Sequence, residues 1–83
     1  MRTVLNNELR ALSALGAGES GVIAELALTA EERAWLDAMG VSVGRAAEVL
    51  RHGVWGGPLH LRMDSGAEFA LARELAERVK VRG

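Results

Sequence analysis

The sequence predicts a mainly β protein, a small and partly closed β-barrel with one helix inserted after its first strand. Three observations carry this reading. The chain has 83 residues, the length of one domain around one small core. Its apolar residues fall in short runs or in strict alternation, separated by glycine turns. One segment alone carries a full helix start and stop, and it lies between two strand-like stretches. Short strands joined by glycine turns suit a small barrel better than a layered α/β sheet.

The elements follow in chain order. Residues 3–16, TVLNNELRALSALG, place Val4, Leu5, Leu9, Leu12 and Leu15 at near-helical spacing, with Gly16 as a stop. A short N-terminal helical segment is expected there. Gly16, Gly18 and Gly21 then spell G-x-G-x-x-G. A dinucleotide fingerprint of that spelling follows a strand and opens a helix, because the helix N-terminus binds the pyrophosphate. Here a helix-like segment precedes the glycines and a strand, GVIAELAL, follows them. The glycines are therefore expected to shape a turn into the first barrel strand.

Residues 29–40, TAEERAWLDAMG, form the clearest helix. Thr29 and Glu32 have capping-box spacing, and Gly40 can take the left-handed conformation that ends a helix. Leu36 and Met39 share a face that is expected in the core, with Trp35 at the core or its edge. Strands are expected at RAAEVLRH (residues 45–52), LHLRM (59–63), EFALA (68–72) and VKV (79–81). In LHLRM the alternation sets Leu59, Leu61 and Met63 inward and His60 and Arg62 outward. GVWGGP reads as a glycine-rich loop, DSG as a turn, and RELAER as one helical turn with Glu74 and Arg78 at i,i+4. No internal repeat occurs.

Composition narrows the function classes. Apolar residues make up 49% and charged residues 25% of the chain, a balance that suits a packed domain and not a disordered one. The net charge of −1 gives no basic footprint for nucleic acid, which counts against a ribosomal-type RNA-binding barrel. The absence of cysteine excludes disulfides, thiol catalysis and thiolate metal sites. No apolar run is long enough for a membrane helix, and the first residues lack a signal-peptide core, so a cytoplasmic location is expected.

The search for chemistry returns little. His52 and His60 could each ligate a metal, helped by Glu48 or Asp64, but no H-x-x-x-H or H-E-x-x-H pairing exists and dispersed histidines are usually solvated. Ser13, Ser20, Ser42 and Ser65 sit in no nucleophile elbow, and no pair of carboxylates is specified for acid–base work. The chain reads as non-enzymatic. Trp55 is more informative. It stands in the glycine loop, either folded back onto the barrel or presented to a partner. Folding back is slightly favoured by a small domain's need for apolar side chains. As a contact, the loop would offer Val54, Trp55 and Pro58.

Taken in order, the pieces LSALGAGESGVI, RAWLDAMGVSVG, AEVLRHGVWGGPLHLRM and FALARELAERVKV resemble the ferrous iron transport protein A (FeoA) family over residues 12–81. The family pattern has G-E-x-G-x-I, a helix ending in leucine–glycine and a proline–glycine turn. A loop closing in G-D-P, an A-L-R and a final valine strand follow. The chain departs from it at Val43 and Gly44 for the proline–glycine turn. It departs again at Gly56, Gly57 and Pro58 for G-D-P, and at Ala72 for the arginine. Its DSG turn is also one residue longer than the pattern.

The resemblance implies an SH3-like β-barrel of about five short strands over residues 12–83, with residues 1–11 as an N-terminal extension. It also implies a cytoplasmic accessory of bacterial ferrous iron uptake, whose partner is the FeoB-type permease, either at its G-protein domain or at its membrane core. The alternative reading is a metal-sensing domain, using His52 and His60, related to the C-terminal domain of iron-dependent repressors. No cofactor is expected beyond an adventitious divalent ion. Self-association through open barrel edges stays open.

Overall fold

A computed structural model describes residues 8–83. Six antiparallel strands form one curved sheet: β1 (Arg10–Ala11), β2 (Ser20–Leu26), β3 (Ala46–His52), β4 (Leu59–Met63), β5 (Glu68–Leu71) and β6 (Val79–Arg82). The strand order is β1-β6-β2-β3-β4-β5, so the last strand sits between the first two. Helix α1 (Ala30–Ala38) is inserted between β2 and β3, and α2 (Arg73–Ala76) is a single turn before β6. This is the small barrel that the alternation and the glycine turns predict, in the SH3-like form that the family resemblance implies.

The N-terminal helical segment is shorter than its spacing suggests. Residues 3–7 of that stretch lie outside the described residues. Of the rest, Arg10 and Ala11 pair with Val81 and Lys80 as strand β1, and only Leu12–Ala14 forms a 3-10 turn. Tertiary pairing overrides a weak helical period here, because β6 offers a sheet edge and a lone helix this short is marginal in water. Leu12 and Leu15 still reach the core.

The glycine stretch is a turn. Glu19 N donates to Gly16 O, and Gly18 takes φ +90°. Gly21 lies in β2, where a Cβ would come within 3.1 Å of the Val81 side chain on the neighbouring strand. These glycines set the entry to β2 and its close approach to β6.

Helix α1 has the predicted capping box. Thr29 Oγ1 accepts from Glu32 N at 3.1 Å, and Glu32 Oε1 accepts from Thr29 N at 3.0 Å. The helix lies on the barrel surface and sends one fully buried side chain, Leu36, into the core. Trp35 is therefore not a core residue. It is 55% exposed, because one position along a helix turns a side chain about 100° away from the buried stripe. Met39 is half-buried. Glu32 also accepts both Nη atoms of Arg78, each at 3.1 Å, which ties the start of α1 to the approach to β6. Arg78 and the Thr29 amide hold the Glu32 carboxyl below its usual pKa.

Inward residues of β2, β3, β4 and β6 fill the barrel. Ile23, Val49, Leu59, Leu61, Val79 and Val81 are each at most 1% exposed. Burying such side chains is worth about 1.5–3 kcal/mol each relative to exposure. The β3–β4 register shifts between Val49 and Arg51, so Leu50 is the extra residue of a bulge.

Candidate functional site

The loop between β3 and β4 turns its large apolar side chains outward, and among the described residues it holds the two most exposed ones. Trp55 is fully exposed and Val54 is 78% exposed; the neighbouring Pro58 is also exposed. Trp55 is therefore presented to solvent and not folded back onto the barrel, against the slight preference the sequence carried.

The backbone explains how. Gly53 N donates to Pro58 O at 2.8 Å, and Gly57 N donates to Val54 O at 3.0 Å. The four residues 54–57 form a tight turn whose two central residues, Trp55 (φ 56°, ψ 40°) and Gly56 (φ 73°), are both left-handed. Those signs match a type I′ turn, where asparagine–glycine is the favoured pair. A bulky aromatic residue at positive φ costs about 1–3 kcal/mol. Among the described residues Trp55 is the one non-glycine residue with positive φ. With the indole wholly in water, no packing within the chain offsets that cost. Gly53 is required by space, since a Cβ there would lie 2.7 Å from Pro58 O.

The loop stands on a polar support that sequence reasoning did not single out. Arg73, at the start of α2, donates Nε to Gly57 O at 3.1 Å and Nη2 to His52 Nδ1 at 3.3 Å. A guanidinium only donates, so Nδ1 is the accepting nitrogen and Nε2 carries the proton. Nε2 then donates to Leu15 O at 2.6 Å. His52 is thus held between the 3-10 turn and α2, with both ring nitrogens engaged. The available signal for Arg73 was its position, one residue after the Ala72 that replaces the expected arginine.

His52 and His60 are not brought together. His52 pairs with Leu59, whose side chain is buried, while His60 pairs with the exposed Arg51. Cross-strand partners share a face, so the two imidazoles lie on opposite faces of the β3–β4 ribbon. Among the described residues no three of the His, Asp and Glu side chains gather as a metal-binding group. Asp64 is occupied elsewhere. Its Oδ1 accepts from Arg45 Nη2 at 2.8 Å and Nε at 3.0 Å, and its Oδ2 from Ala46 N at 3.2 Å. Arg45 and the Ala46 amide hold its carboxyl below the usual range. Glu48 pairs with Arg62 at 3.2 Å.

A family profile describing the FeoA domain matches residues 10–83. The chain belongs to the FeoA family. No curated protein matches it. Among solved structures it is similar to the crystal structure of an iron uptake regulatory protein (FeoA). The two share 31% identity at a TM-score of 0.82, over 90% of this chain and 97% of that one. A solution structure of the FeoA protein from Chlorobium tepidum matches at 27% identity and TM-score 0.81, over 88% of this chain and 69% of that one. A manganese-dependent transcriptional repressor shares the fold at 22% identity and TM-score 0.82. This FeoA domain covers 90% of itself but 41% of that repressor. Among the described residues, no helix of this FeoA domain is long and apolar enough to cross a membrane.

Proposed function

We propose that this FeoA-family chain is a non-catalytic, cytoplasmic adaptor of bacterial ferrous iron uptake. It docks on the cytoplasmic side of a FeoB-type permease through Val54, Trp55 and Pro58. The observation that carries the reading is Trp55: fully exposed, in a strained left-handed conformation, on a loop buttressed by Arg73 and His52. Strain with no benefit inside the chain points to a use outside it. Aromatic side chains at such tips are typical interface anchors. Family membership supplies the iron-uptake context.

The test is a titration of the full-length permease from the same organism, held in lipid nanodiscs, with GDP and with a non-hydrolysable GTP analogue. Binding that differs between the two nucleotides means the adaptor biases the G-protein switch, because a ligand moves an equilibrium only through differential affinity. Equal binding means a scaffold. No binding in either state sinks the permease reading.

A further inference from the structure

The outer face of β3, β4 and β5 carries two neighbouring rows of side chains. The first row is Glu48, Arg62 and Glu68, which are cross-strand partners. Arg62 contacts Glu48 at 3.2 Å and Glu68 at 3.1 Å, so one cation serves two carboxylates. The second row, next to the Trp55 loop, is Arg51, His60 and Ala70. It contains no carboxylate. Among the described residues, neither Arg51 nor His60 has a side-chain hydrogen bond or ion pair. Ala70 is too small to fill its end of the row. The result is a groove of about 340 Å³ lined by Leu50, Arg51, His60, Phe69 and Ala70, with Glu68 also on its wall but held by Arg62 at 3.1 Å. Leu50, the extra residue of the β3 bulge, lies on its wall.

We propose that this groove is a docking surface for a protein segment that presents an aspartate or glutamate carboxylate. Charge complementarity selects that occupant. A guanidinium offers two parallel donors that match one carboxylate, and the imidazole opposite adds a third. A nucleic acid is disfavoured, because its affinity comes from neutralising many phosphates. Here one unpaired arginine faces a chain of net charge −1, with Glu48 in the adjoining row and Glu68 on the groove wall, both already paired with Arg62. The groove adjoins the loop, so one partner segment can place an apolar pocket on Trp55 and a carboxylate on Arg51. The partner's identity rests on the adaptor reading; the chemistry of the groove does not.

Two measurements test it separately. The first is a nuclear magnetic resonance titration of the full chain with an acetylated octapeptide of alternating leucine and glutamate. Its leucine–lysine counterpart serves as control. Perturbation at Arg51, His60 and Ala70 by the glutamate peptide alone is the expected result, lost in Arg51→Gln. Equal perturbation by both peptides, or none by either, overturns the proposal. So does tighter binding of oligouridylate or of anionic lipid vesicles at the same resonances. The second is the permease titration repeated with Arg51→Glu and with Arg82→Glu, an equal charge change on β6. Weakening of about fivefold or more by Arg51→Glu, with loss of salt dependence, is expected. Arg82→Glu is expected to stay within about twofold of wild type. Equal effects of the two variants overturn the proposal. A permease that fails to bind wild type while the peptide result holds sinks the partner and leaves the surface.

Discussion

Strand β4 begins at one turn and ends at another, and the two turns differ in what they do with exposure. At its end, residues 63–67, polar groups are spent on the chain itself. Asp64 is gripped by Arg45 and the Ala46 amide, Gly66 N donates to Met63 O, and the positive φ falls on Gly66. At its start, residues 53–58, the exposed side chains are apolar, and a tryptophan takes a positive φ that glycine or asparagine would take more cheaply. The first turn is made for folding. The second is folded well enough, through Arg73 and Gly53, to hold a side chain that folding does not use. Stability and presentation are thus separated along five residues of one strand.

The comparison can be broken at its most exposed point first. Trp55→Ala is expected to weaken partner binding at least about thirtyfold, the cost of a hot-spot truncation of about 2 kcal/mol. Its melting temperature should stay at or above wild type. A large drop in melting temperature would mean the indole packs on the barrel after all. Next is Gly53→Ala, whose Cβ meets backbone atoms at 2.7–3.1 Å. It should cost about 1–3 kcal/mol in chemical denaturation, as overpacking against backbone does. It should also weaken binding, because the loop must open to relieve the contact. Trp55→Asn is expected to stabilise the domain by about 0.5–1 kcal/mol, since asparagine suits the left-handed position, while abolishing the contact. No gain in stability would show that the tryptophan backbone is not strained.

The smallest effect is at the other turn. Asp64 titrates below its ordinary value of 3.8 because Arg45 and the Ala46 amide bind the ionised form. Its contribution is therefore fully present above that ordinary value and is lost as pH falls through the lower folded value. Asp64→Asn should melt modestly below wild type at neutral pH and converge with it in acid. Partner binding at neutral pH should be unchanged. Equal melting of the two proteins at neutral pH would show that this turn gains nothing from the ion pair.

Much of this architecture is written in local pattern. The capping box of Thr29 and Glu32, the alternation through Leu59, Leu61 and Met63, and the stops at Gly40 and Gly66 are each decided by neighbours within one turn or one strand. What local pattern misses depends on distant partners. Arg10 and Ala11 become a strand because β6 arrives beside them. Trp35 faces water because Leu36 is the one side chain of α1 that the barrel fully buries. Arg73 matters because the fold sets its guanidinium under Gly57, 16 residues away in sequence. At Trp55 the sequence left two choices open, and the left-handed backbone that separates them has no signature when tryptophan stands in place of asparagine. The silent row of Arg51 and His60 follows from register, which a one-residue bulge at Leu50 decides.

The position of β6 between β1 and β2 has a consequence for how the molecule is made. A ribosome releases Val79–Arg82 after β1 to β5, yet those residues zip the N-terminal strands together. Nascent chain that already carries β2 through β5 must wait, with the flank of β2 unpaired, until the last strand emerges. Closure is then a late and long-range event, the kind that slows folding and exposes a sticky edge meanwhile. Ribosome-bound chains stalled before Val79 should accordingly engage chaperones and resist compaction, and release of the final strand should end both at once.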